Sequence, residues 1–199
     1  MKKLRIYLDT SVVNFLFAED APDFRRVTED FFAKHAQKYE LYASEVLLAE
    51  VSRDPNPEHR QKLLEVLERY PIALLPTNRR ADVERLAEMY MARRALPASK
   101  RDDAFHVGYA TVFGMDILLS WNFKHLANVR REKLIAEINQ AAGYPELLRL
   151  LSPLEAEDEK DRSARGIRAR GATAGLGMEG LHLPGNQASL DAGRFALHQ

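Results

Sequence analysis

The chain has 199 residues, with 29 basic and 29 acidic side chains, 46% hydrophobic residues and no cysteine, which suits one domain of ordinary size with a core of its own. A formal net charge of zero gives no whole-molecule field to attract nucleic acid, so any such binding falls to a local patch or a bound metal. The absence of cysteine excludes disulfide scaffolds, zinc–thiolate sites, iron–sulfur clusters and thiol nucleophiles, leaving carboxylates, hydroxyls and histidines for any chemistry.

In chain order, Leu4 to Leu8 reads as a first strand. Ser11 to Phe17 reads as a short helix, and Asp23 to Lys38 as a longer one with Phe24, Val27, Phe31 and Phe32 near helical spacing. Leu41 to Ala43 is a second, very short strand. Glu45 to Val51 and Pro57 to Arg69 read as helices, the latter through Leu63, Leu64 and Leu67. Ile72 to Leu75 gives a third strand, and two helices follow over Arg80 to Arg94 and Asp102 to Phe113. Gly114 makes the turn into Asp116 to Ser120, a fourth strand that closes the sheet. Short apolar runs alternating with amphipathic ones predict an α/β layer fold with a parallel sheet.

No hydrophobic run exceeds four residues, far below the ~20 needed to cross a bilayer. Met1-Lys2-Lys3 leads into a strand with no signal-peptide core, so a cytoplasmic protein with no membrane association is expected. Composition changes near Ser152: seven of the ten glycines but only one of the seventeen aromatics, Phe195, lie beyond it. Residues 152–199 are therefore expected to form a poorly ordered, low-complexity tail on a domain spanning residues 1–151. The mixed charges from Glu155 to Arg165 read as a solvated helix end or linker.

Asp9 ends the first strand, just before Thr10-Ser11. Ligands of open parallel sheets bind beyond the carboxyl ends of strands, so Asp9 is placed either for chemistry or to cap the next helix. Glu50 sits late in its helix among Val46, Leu47, Leu48 and Ala49, where an unpartnered charge is expensive to bury; it is a metal ligand or a surface glutamate. Asp102 and Asp103 begin a largely apolar helix. The helix dipole accounts for one of them and leaves one spare. His106, one turn beyond Asp103, shares its face and reads as a hydrogen-bonded core residue. In the stretch from Ser120 to Leu126, polar Ser120, Asn122 and Lys124 alternate with Trp121 and Phe123, so one face addresses a ligand or the segment is a plain loop. Asp116 lies at the opposite end of the sheet and has no assigned role. Three carboxylates gathered from separate segments make a hard oxygen cage suited to Mg²⁺ or Mn²⁺. Such ions activate water and stabilise the charge that develops when a phosphodiester is attacked.

Four segments stand out together: Ile6-Tyr7-Leu8-Asp9-Thr10-Ser11-Val12, Ser44-Glu45-Val46-Leu47-Leu48-Ala49-Glu50-Val51, Asp103-Ala104-Phe105-His106-Val107, and Leu118 to Leu126 with its Trp-Asn-Phe-Lys-His run. In this order they resemble the PIN domain, the metal-dependent ribonuclease fold of many bacterial and archaeal toxins. The resemblance covers about residues 4–151. It implies a PIN-like central parallel sheet of about four to five strands flanked by helices. It places the family's metal-binding acids on Asp9, Glu50 and Asp103, and a fourth acidic position on Asn122. Asn122 departs from that pattern: it keeps an oxygen but loses a charge, so one-metal catalysis is expected, with Asn122 as an auxiliary. Thr10, Ser11, Ser120 and Lys124 are the expected substrate-side residues. RNA substrate, a cognate antitoxin and a homodimer are the implied partners.

A haloacid-dehalogenase-type phosphatase would need a second Asp two residues after Asp9, where Ser11 stands. A Walker-type loop cannot be built without glycine, and the first 107 residues contain none. The rival of another class is a PIN-like module that binds RNA or protein without cleaving. Lys124 with His125, and Arg93-Arg94 through Lys100-Arg101, are candidate phosphate contacts for either reading.

Overall fold

A computed structural model describes residues 2–122 and 129–156. The first strand, β1 (Arg5–Leu8), runs into α1 (Thr10–Asn14), which tightens into a 3₁₀ turn over Phe15–Phe17. The expected long second helix begins as α2 (Pro22–Asp30), with proline in its first turn, then loosens into a π turn over Phe31–His35 and a 3₁₀ turn over Ala36–Lys38. Burial of Phe31 and Phe32, both at most 3% exposed, coincides with that change of winding and wins over helical regularity. β2 (Glu40–Ala43), α3 (Glu45–Ser52), α4 (Pro57–Arg69), β3 (Ile72–Leu74), α5 (Arg80–Ala92), α6 (Arg101–Val112) and β4 (Ile117–Leu119) follow close to the expected places. Asn56 caps α4, accepting from the amides of Glu58 and His59.

The sheet does not close at β4. Beyond α7 (Val129–Ala141), β5 (Arg149–Leu151) adds a fifth strand. Three residues within a leucine-rich stretch carry too little alternation to mark a strand; the backbone of β4 selects it. Residues 153–156 are helical, and the carbonyl of fully buried Ala156 accepts a hydrogen bond from Tyr39 at 3.1 Å. The remainder of the expected tail, residues 157–199, lies outside the described residues.

The five-stranded sheet has the order β3-β2-β1-β4-β5, with every neighbouring pair parallel, and helices flank it. Ile6, Leu8, Ile117 and Leu119 enter one core with Phe31, Leu47 and Leu63. Tyr7 and Leu118 enter the other with Val83, Tyr90 and Ile138. Residues on both faces are buried, the burial pattern of an all-parallel sheet. α5 and α6 pack closely at Gly108, where an added Cβ would come within 3.1 Å of both the Val83 backbone oxygen and a Val83 methyl group. Gly114 supplies the left-handed turn into β4 at φ +63°. This order reverses direction between β1 and β4, so the chain leaves these two strands toward opposite sides and opens a crevice at their carboxyl ends.

Candidate active site

Asp9 and Ser120 bracket that crevice. Asp9 follows β1 and its amide donates to the Leu119 carbonyl at 3.1 Å; Ser120 follows β4 and its amide donates to Leu151. The Asp9 carboxylate is only 4% exposed and takes one short hydrogen bond on each oxygen, from the Ser11 amide and the Ser120 hydroxyl, both at 2.5 Å. Asp9 therefore caps α1 and stands at the ligand edge at once; the two readings of its position do not compete. The corner is tied further by the Trp121 amide, which donates to Ser11 Oγ at 2.9 Å, and by the Asn122 amide, which donates to Ser120 Oγ at 2.9 Å. The Ser11 and Ser120 hydroxyls lie 3.2 Å apart inside this network.

Glu50 reaches the same edge from the last turn of α3. One of its oxygens, Oε2, accepts from the Thr10 hydroxyl and from His106 Nε2, the latter at 2.7 Å. Burial alone would push the Glu50 carboxyl up, but the His106 hydrogen bond and charge, with Thr10, hold it below its usual range. At His106 the Glu50 hydrogen bond and the charges of Asp9, Glu50 and Asp103 outweigh burial and raise its affinity for a proton. Glu45, five residues earlier in sequence, instead joins Arg80 and the Tyr109 hydroxyl and so links α3 to α5 and α6.

Asp103 comes from the first turn of α6. It feels the charges of Asp9, Glu50 and His106, which brings all three expected acids into one electrostatic neighbourhood. No described residue gives its side chain a hydrogen bond or ion pair. Burial, then the charge of Asp9, lifts its carboxyl to about 6 against the pull of His106 and Lys100. Its neighbour Asp102 faces outward and pairs with Arg53 at 2.7 Å. Asp102 is thus the acid that the helix start explains, and Asp103 the spare one.

The remaining expected residues divide. Thr10 holds Glu50, and Ser11 and Ser120 hold Asp9. Asn122 is exposed and joins the corner through its backbone; no hydrogen bond from a described residue reaches its side chain. Lys124 and His125 lie outside the described residues. Asp116, at the amino ends of the strands, accepts from the Arg5 amide at 2.7 Å. Sequence reasoning missed the contribution of Tyr7 and Ser44, whose hydroxyls are 2.6 Å apart behind His106. An apolar strand with one tyrosine and a serine before a helix give no local signal of such a pair. Beside the corner, Phe15, Phe24 and Trp121 form a half-buried aromatic group with ring centroids 4.8 to 5.8 Å apart. The Trp121 indole N–H donates to the buried Thr28 hydroxyl.

Among solved structures, the chain is similar to one in the crystal structure of VapBC2 from Rickettsia felis bound to a DNA fragment from their promoter. The match has 16% identity and a TM-score of 0.48, and covers 75% of this chain and 98% of that one. No family model matches the chain, and no curated protein matches it.

The donor chemistry at this edge suits a hard divalent cation. Three carboxylates share one field, and burial with the charge of Asp9 holds one of them, Asp103, above the usual carboxylate range. Among the described residues no three His, Asp or Glu side chains stand as a ready-made metal centre, so Asp9, Glu50 and Asp103 are neighbours in charge before they are a coordination shell. No helix of the described residues is long and apolar enough to cross a membrane.

Proposed function

We propose that this chain is a PIN-like, metal-dependent endoribonuclease, with Mg²⁺ or Mn²⁺ held by Asp9, Glu50 and Asp103. The observation that carries the reading is Asp103: a carboxyl with no hydrogen-bond partner among the described residues, raised to about 6 by burial and by the charges of Asp9 and Glu50 against His106 and Lys100, is a group whose charge a bound cation would further stabilise. When bound, the cation would lower the pKa of a water and offset charge on the attacked phosphate. The chain's own residues supply the rest. Ser11 and Ser120 fix Asp9, Thr10 fixes Glu50, and Asn122 at the rim is an uncharged auxiliary oxygen. Single-stranded RNA fits the neighbourhood, because Phe15, Phe24 and Trp121 offer π faces for unstacked bases next to the acids. Lys124 is the proposed phosphate contact.

By its resemblance to toxins of this fold, the chain would arrest growth when expressed, act in the cytoplasm as a homodimer, and be neutralised by a cognate antitoxin. The test of the chemistry is cleavage of a single-stranded RNA pool by the purified chain with and without Mg²⁺. Asp9→Asn and Asp103→Asn should each lower the rate by about 100-fold or more, the scale of losing one transition-state electrostatic contact. Full cleavage by both variants rejects the site.

A second reading, a module that binds RNA or protein without cleaving it, is favoured by one observation: the Glu50 charge is already matched by His106. RNA retention without Mg²⁺-dependent cleavage would select it.

A further inference from the structure

Glu50 stands at the end of a buried chain of polar groups. The Val46 amide donates to Ser44 Oγ, and Ser44 Oγ lies 2.6 Å from the Tyr7 hydroxyl. That hydroxyl is 2.8 Å from His106 Nδ1, and His106 Nε2 donates to Glu50 Oε2 at 2.7 Å. Ser44 and Tyr7 are fully buried and His106 is 2% exposed. The imidazole is thus held at both nitrogens, and the Tyr7 ring packs against it at 5.6 Å between centroids. The relay crosses β1, the turn between β2 and α3, and α6, three segments remote in sequence.

Filling this volume with apolar side chains would spare the desolvation of a hydroxyl pair, an imidazole and a carboxylate. What the polar arrangement achieves is orientation. A glutamate has three side-chain torsions before its carboxylate and loses rotamer freedom only when something holds it. Here both donors, Thr10 and His106, bind the same oxygen, Oε2. Oε1 accepts no hydrogen bond from the described residues, so the carboxylate offers the site a single oxygen in a fixed place.

We propose that His106, backed by Tyr7 and Ser44, is a positioning residue that locks Glu50 through Oε2 and reserves Oε1 for the divalent cation of the site. The inference rests on the metal-dependent reading above. It assigns His106 no contact with substrate. Outer partners that fix a carboxylate in this way set the affinity of the ion held by it.

The test is Mn²⁺ binding to the full chain without RNA, followed by loss of the free-ion electron paramagnetic resonance signal, with folding checked by circular dichroism. His106→Leu should weaken Mn²⁺ binding by about tenfold or more. His106→Gln, whose amide nitrogen reaches the place of Nε2, should recover most of that loss. Tyr7→Phe keeps the ring and removes the backing hydroxyl, and should fall between the two. It carries the test even where His106→Leu fails to fold. In cleavage assays the same variants should need more Mg²⁺ for half-maximal rate while nearing the wild-type rate at saturating Mg²⁺, a pattern that general loss of folded protein does not produce. Wild-type Mn²⁺ affinity in folded Tyr7→Phe and His106→Gln, with no recovery pattern between Leu and Gln, overturns the positioning role and leaves the cation reading intact. No Mn²⁺ binding by the wild-type chain overturns both.

Discussion

Asp9 and Asp103 are neighbours in charge but opposites in structure. Asp9 is almost wholly buried and accepts a short hydrogen bond on each oxygen. Asp103 is less buried, yet no described residue donates to it, and its carboxyl is lifted to about 6. One carboxylate has been built into the fold; the other stands against it. Folding tolerates an acid such as Asp103 only at a cost in stability, and such costs concentrate where a ligand supplies what the protein withholds.

Removing each side chain should therefore move stability in opposite directions. Asp9→Ala deletes the α1 cap and the acceptor of Ser120, and should cost about 2–4 kcal/mol in urea unfolding. Asp103→Asn should do the reverse and stabilise the metal-free chain by about 1–2 kcal/mol near neutral pH, even as it lowers the proposed cleavage activity. A destabilised Asp103→Asn would contradict the unpaired state of this group.

The pH dependence sharpens the second prediction. Because the folded-state pKa of Asp103, about 6, lies above its ordinary value of 3.8, the native state holds the proton more tightly. Its contribution to stability is most favourable below 3.8, falls as pH rises through the interval to about 6, and is flat above. The stability gap between wild type and Asp103→Asn should open across that window and vanish below it, measured as Tm against pH in the absence of divalent ions.

Smaller effects mark the edges of the comparison. Thr10→Val removes one of the two donors to Glu50 Oε2 and should cost about 1 kcal/mol. Arg53→Ala breaks the exposed pair with Asp102, beside Asp103 in sequence, and should change unfolding free energy by less than about 0.5 kcal/mol. A large effect there would show that Asp102 is part of the site.

Much of the architecture was legible from local pattern. α4 matches its expected span residue for residue, because Asn56 and Pro57 mark its start and Leu63 and Leu67 its apolar face. Asp103, opening α6, also feels the charges of Asp9 after β1 and of Glu50 on α3. β5 and α7 were not assigned, and the expected helix of residues 23–38 changes winding where Phe31 and Phe32 turn into the core. In each case packing against neighbours, not local propensity, decides the backbone.

Residue types and their order alone determined a parallel α/β layer with Asp9 at a strand end and Asp103 at a helix start, since strand ends and helix starts are written in short-range chemistry. Which of those acids is satisfied, which is left wanting, and that Tyr7, Ser44 and His106 stand behind Glu50 were decided only by the tertiary structure. Hydrogen bonds such as that from Ser120 to Asp9, 111 positions apart in the chain, follow from the strand order β3-β2-β1-β4-β5, and no local window of sequence contains that order.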